Sequence, residues 1–198
     1  MLFRSEKIKH QAPGASGLLA LDWNNGNRTV LTDVRLSGLL LGQTLHTQAH
    51  EIYRAYIEAT AFGALTIIRR MEEHGIVIDE VINTGGLSHK NETLMQIYAD
   101  VLGRPMKVSR SEQTCALGAA LFGGLAAGHA SLAKLQENMV EYTETTYEPN
   151  PDNQAVYAEL YRLYQTLHDA FGTTGWAGSL DHVMKDLIRI RRRQRNNT

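Results

Sequence analysis

Residues 81–128 read VINTGGLSHKNETLMQIYADVLGRPMKVSRSEQTCALGAALFGGLAAG, and the order of signals in this stretch decides the fold. A short apolar run, Val81-Ile82, ends in Asn83-Thr84 and the glycine pair Gly85-Gly86. Leu94, Met95, Tyr98, Val101 and Leu102 then recur at helical spacing, with Glu92, Gln96 and Asp100 opposite, which predicts a half-buried helix. Gly103-Arg104-Pro105 closes that helix, with glycine just past its end and proline beyond. A short strand at Met106-Lys107-Val108, a polar loop over 109–114 and a second helix over 115–127 follow. The second helix is built from small residues that permit close backbone approach, and Gly128 stops it.

A strand, a tight glycine turn and a helix have a physical use together. Glycine lets the chain turn sharply and lets a ligand approach the main chain. A helix start presents free N–H groups and the positive end of a dipole, which suits a phosphate. The pair is neither a Walker loop nor GxGxxG, so by itself it is equally a plain β–α turn. Lys90 and Asn91 follow it; the lysine could meet a phosphate and the asparagine a ribose or adenine. The alternative for these two is a solvated charge and a helix-capping side chain.

Taken together, Gly85-Gly86, the run Gln96-Ile97-Tyr98-Ala99-Asp100-Val101-Leu102-Gly103-Arg104-Pro105 and Ala116-Leu117-Gly118-Ala119-Ala120 resemble the nucleotide-binding half of the FGGY carbohydrate kinases. Residues 19–28 (LALDWNNGNR), 58–63 (EATAFG) and 167–172 (LHDAFG) are most similar to its L-ribulokinase branch. The resemblance implies an α/β, actin-like and ribonuclease-H-like ATPase domain, the second lobe of a sugar kinase. It divides the chain into an incomplete domain entry over 1–16, a nucleotide-binding core over 17–128 and a helical extension over 129–198. It also implies that the glycine pair Gly85-Gly86 holds the adenosine end of ATP, with the 116–120 helix packed behind it; the nucleotide roles of Lys90 and Asn91 rest on their place after the turn, since the family varies at both. ATP and Mg²⁺ would be the cofactors and L-ribulose the sugar, phosphorylated at its terminal hydroxyl. In the family, the catalytic aspartate and both phosphate loops precede the matching part, so no catalytic residue is assigned here and little activity is expected of the chain alone. The alternative is a non-catalytic binding or assembly module of the same fold, which pairs with a separately made N-terminal half or serves only as an oligomerisation surface through residues 150–198.

Composition excludes several other classes. With 43% apolar residues, 21% charged residues and a net charge of −1, the chain fits a soluble globular domain and lacks the footprint of a nucleic-acid or membrane binder. The single cysteine, Cys115, rules out an internal disulfide and reads as core among small helical residues. No apolar run nears the ~20 residues of a membrane span, so a cytoplasmic location is expected. His46 and His50 are four apart, but Thr47 stands where a zinc protease needs glutamate, so no metal site is assigned.

The remaining segments read in order. Residues 1–16 have a loop composition, 17–22 a strand, 23–28 a turn-rich loop that is either a surface turn or faces the cleft between kinase lobes, and 49–74 the longest helix, apolar around much of its girth. Asn150 caps a helix over 153–170 with the stripe Val156, Leu160, Leu163, Tyr164 and Leu167. A last helix in 180–198 ends in five arginines (189, 191, 192, 193, 195), read as a solvated terminus. Asp22 is a lone carboxylate with no visible partner.

Overall fold

The computed structural model describes residues 2–196, with elements α1 (Leu2–Lys9), β1 (Leu19–Leu21), β2 (Leu39–Leu41), α2 (Ala49–Glu72), β3 (Val81–Asn83), α3 (Gly86–Lys90), α4 (Glu92–Leu102), β4 (Met106–Val108), α5 (Thr114–Ala126), α6 (Leu132–Met139), α7 (Pro151–Gly172) and α8 (Val183–Asn196). β1 and β2 pair antiparallel, Leu19 opposite Leu41, and β3 and β4 pair parallel, Val81 opposite Met106. A parallel pair needs a crossover. Here α3 and α4 supply it, giving the α/β unit expected from residues 81–108.

α2 is the longest element and packs against β1, α1, α4 and α7. That is why its apolar residues spread around the helix. Phe62 on α2 meets the rings of Tyr157, Tyr161 and Tyr164 on α7 at centroid distances of 6.1, 5.9 and 5.4 Å. The stripe expected on α7 is buried throughout, and Asn150 caps the helix, accepting hydrogen bonds from the amides of Asp152 and Asn153. The core thus joins the 17–128 segment to the helical extension in one hydrophobic cluster.

Several expectations are corrected by the packing. Residues 2–9 are helical, not loop: Ile8 is fully buried and its carbonyl accepts a 2.7 Å hydrogen bond from Arg54 Nη1. Asp100, expected on the solvent face of α4, is buried because Gln96 Nε2, the Asn150 amide and Asn153 Nδ2 all donate to it at 2.7–2.8 Å. It thereby ties α4 to the start of α7. Cys115 is exposed, not core, because most of α5 stands clear of the body. The arginine tail is a solvated helix end as expected, and three of its side chains also make ion pairs: Arg189 and Arg193 reach Glu159, and Arg195 reaches Glu51 and the Ala15 carbonyl.

A buried polar network joins α1, α2 and α7. Arg54 Nε donates to Glu58 Oε1 at 2.7 Å and its Nη2 to Tyr157 Oη at 2.9 Å, while Tyr157 donates to Glu58 at 3.1 Å. The side chains of Arg54 and Glu58 are only 6% and 4% exposed, so this hydrogen-bonded pair is held out of water. Burial pushes the Tyr157 hydroxyl well above its ordinary pKa, which keeps it a neutral donor.

Candidate functional site

β3 delivers the chain into the glycine turn. Gly85 sits at φ 91°, a backbone state that side-chain-bearing residues rarely adopt, and it precedes α3. Ser88 locks the turn, its Oγ and its amide both donating to the Gly85 carbonyl at 2.6 and 3.3 Å. A Cβ added at Gly85 or Gly86 would meet nothing within 4 Å, so this stretch of main chain is open to approach. The turn can therefore be reached by a flat, polar ligand such as a nucleoside.

The helix after the turn differs from the single helix expected. α3 has only five residues, and Asn91 at φ −143° separates it from α4. Asn91 is the cap of α4: its Oδ1 accepts from the Leu94 amide at 3.1 Å. Lys90 is exposed and lies four residues after Gly86, on the same side of α3. Gly85, Gly86 and Lys90 thus share one open face, while Asn91 is already engaged. Replacing Asn91 by alanine is expected to cost about 1 kcal/mol in urea unfolding, and aspartate, which keeps the cap, far less.

A second concave region lies where the 22–31 loop folds over α2. It encloses about 310 Å³ and is lined by Asp22, Arg28, Gly63, Tyr98, Tyr164 and His168 among others. The turn-rich loop over 23–28 lines this concavity within the lobe. Burial raises the Asp22 pKa, only partly offset by its own backbone amide. Burial raises both Tyr98 and Tyr164 and the negative charge of Asp22 adds to it, while hydrogen bonds to Thr60 and to Trp23 respectively oppose the rise.

The raised Asp22 value has a pH consequence. At low pH both folded and unfolded chains hold the proton and no penalty arises. As pH climbs from the ordinary carboxylate value through the raised folded one, the folded state binds more protons than the unfolded, so stability falls. Asp22→Asn removes this penalty. It is expected to raise the melting temperature near neutral pH and to matter little in acid, as read by thermal melts across pH.

α5 carries the Ala-Leu-Gly-Ala-Ala run and packs on α6, not behind the glycine turn as expected. Leu121 is its one buried residue, while Phe122 is 63% exposed. Among the described residues, no group of three or more metal-ligating side chains is placed to hold an ion. No described helix is long and apolar enough to cross a membrane.

The sequence profile of the FGGY family of carbohydrate kinases, C-terminal domain, matches residues 2–127. The chain belongs to the FGGY family. The ribulokinase of Geobacillus thermodenitrificans is 50% identical over 165 residues, covering 81% of this chain and 29% of that protein. That of Shouchella clausii is 45% identical over 193 residues, covering 95% of this chain and 34% of that protein. The chain therefore spans about a third of the length of these curated relatives. Among solved structures, the ligand-bound xylulose kinase of Lactobacillus acidophilus matches with a TM-score of 0.75 at 23% identity, covering 87% of this chain and 34% of that one. The Plasmodium falciparum glycerol kinase with ADP matches with a TM-score of 0.68 at 20% identity, covering 83% of this chain and 33% of that one. These likenesses show the fold: the second lobe of an FGGY kinase.

Within that lobe the structure places Gly85, Gly86 and Lys90 together and gives Asn91 a capping role. Sequence reasoning did not assemble the Asp22 cleft, whose residues come from four distant segments. Its signals were present separately, in the LDWNNGNR loop and in the LHDAFG run that carries His168.

Proposed function

We propose that this chain is the nucleotide-holding lobe of an ATP-dependent carbohydrate kinase that phosphorylates L-ribulose. The open main chain at Gly85-Gly86, on a lobe of this family, carries the reading. The turn would take the adenosine end of the nucleotide, with Lys90 on the same face near its phosphates. Identity to ribulokinases at 50% over most of the chain supports the sugar. Mg²⁺ would enter with the nucleotide, bridging its phosphates as in other phosphoryl transfers. The lobe's part is to bind and position; closure against the part of the relatives that this chain does not span would exclude water and bring in the sugar and the base.

The exposed apolar helix α5 supports that docking, since unpaired apolar surface of this kind marks an interaction face. The arginine tail is taken up in pairs with Glu159 and Glu51, which supports a structural role over nucleic-acid binding. The test is reconstitution. The chain alone is expected to give no MgATP-dependent phosphorylation of L-ribulose. Mixed with the first two-thirds of the Geobacillus relative, it is expected to turn over, and Phe122→Asp is expected to abolish that gain. Turnover by the chain alone, or reconstitution indifferent to Phe122→Asp, would overturn the assignment.

A further inference from the structure

A cavity of about 300 Å³ lies where the last turns of α2 meet the end of α4 and one face of α7. It shares no lining residue with the glycine turn or with the Asp22 cleft. Its walls include Leu65 from α2, Leu102 from α4, and Tyr157 and Tyr161 from α7. Apolar walls with a few placed polar groups are the usual form of a small-molecule site, and this volume is at the small end of that class.

Arg69 stands at one end, its guanidinium carbon 4.4 Å from the centre of the Tyr161 ring. That ring is itself held, its hydroxyl 3.2 Å from Thr66 Oγ1 and its plane stacked on Tyr164. An arginine laid on an aromatic face is already oriented, and its planar fork matches a carboxylate. Arg69 forms no ion pair among the described residues. The other charges around the cavity are taken. Glu72 pairs with Arg104, which also donates to the carbonyls of Ile78 and Leu102 at 2.7 and 2.9 Å. Asp100 accepts from Gln96, Asn150 and Asn153. The lining charge left without a partner is the Arg69 cation.

Gln154, Ala158 and Tyr161 recur at i, i+4 and i+7, so they lie along one face of α7. Gln154 closes the end away from Arg69, about 10 Å along the helix from Tyr161. Gly103 leaves room for its amide, since a Cβ there would stand 3.0 Å from Gln154 Nε2. Between the two ends Ala158, small and exposed, leaves the trough open to solvent.

We infer that this cavity binds a small amphiphilic carboxylate, with the carboxylate in the fork of Arg69 and the apolar body along Leu65, Leu102 and Tyr157. A cation at one end and hydrocarbon along the length select a molecule charged at one end only. Neither the nucleotide nor the sugar takes part.

Titration of the intact chain with hexanoate, hexanol and acetate, by calorimetry at constant ionic strength, tests it. Hexanoate is expected to bind saturably and more tightly than either other probe. Arg69→Met is expected to bind hexanoate at least about tenfold more weakly and no better than hexanol. Ala158→Leu keeps the arginine and fills the trough; at an exposed mid-helix position it is expected to melt with the native chain yet to lose hexanoate by a similar factor. No saturable binding of hexanoate, or binding unchanged in a folded Ala158→Leu chain, would overturn the proposal. Acetate binding as tightly as hexanoate would overturn it as an anion effect at Arg69 alone. Hexanol binding as tightly would overturn it as simple apolar uptake. Loss of ADP binding at the glycine turn leaves each of these outcomes unchanged, so the two readings fail separately.

Discussion

Arg54→Ala is expected to cost about 3–5 kcal/mol, because it strands the Glu58 carboxylate in a dry interior. For a chain of this size that lowers the melting temperature by roughly 6–20 °C. The whole network is lost, not only the pair. Arg54 also satisfies the Ile8 carbonyl at 2.7 Å and the Tyr157 hydroxyl at 2.9 Å, so its loss unties α1 and α7 from α2 at once. An exposed pair at helical spacing, such as Lys134 with Glu137, is worth only about 0.3–0.5 kcal/mol. The triple replacement Arg54→Met, Glu58→Leu and Tyr157→Phe removes the stranded groups together and is expected to recover most of the loss. Urea unfolding of the single and triple variants reads both. A single variant as mild as a surface pair would show that the network is not buried as described.

Gly86→Val is expected to weaken binding of ADP about a hundredfold, or ~2.7 kcal/mol, while leaving the fold intact. The fold is spared because a Cβ at Gly86 meets nothing within 4 Å, and exposed substitutions of this kind usually shift stability by less than about 0.5 kcal/mol. Gly85 is the poorer test, since its φ of 91° would strain any replacement and confuse loss of fold with loss of ligand. Calorimetry on the native and Gly86→Val chains, with a thermal melt of each, separates the two effects. Equal affinity in a folded variant would remove the ligand from the turn.

The elements that could be read from sequence are those whose signals are local. The glycine at 103, left-handed at φ 65°, and the Asn150 cap followed by Pro151 mark helix ends through their own backbone chemistry. The stripe on α7 and the girth of α2 follow from spacing alone. What could not be read depends on partners far along the chain. Asp100 looks like a solvent-face residue until Asn150 and Asn153, some fifty positions later, close over it. Residues 2–9 carry no strong helical stripe, and their place is set by Ile8 and its bond to Arg54. Cys115 looks like core because its neighbours are small and apolar, yet α5 turns most of them outward.

The candidate site divides in the same way. Gly85 and Gly86 were legible because a strand ending in two glycines constrains the backbone wherever it occurs. Asn91 was legible only as two alternatives, and its bond to the Leu94 amide decides for the cap. The Asp22 cleft draws on the loop after β1 and on α2, α4 and α7, and no spacing rule joins residues 22, 63, 98, 164 and 168.

Hydrogen exchange of the intact chain with and without ADP tests the central claim most directly, because it locates the nucleotide rather than merely detecting it. Protection concentrated in residues 83–90, absent from the Gly86→Val chain, is the predicted result. Saturable protection elsewhere with none at the glycine turn would contradict it.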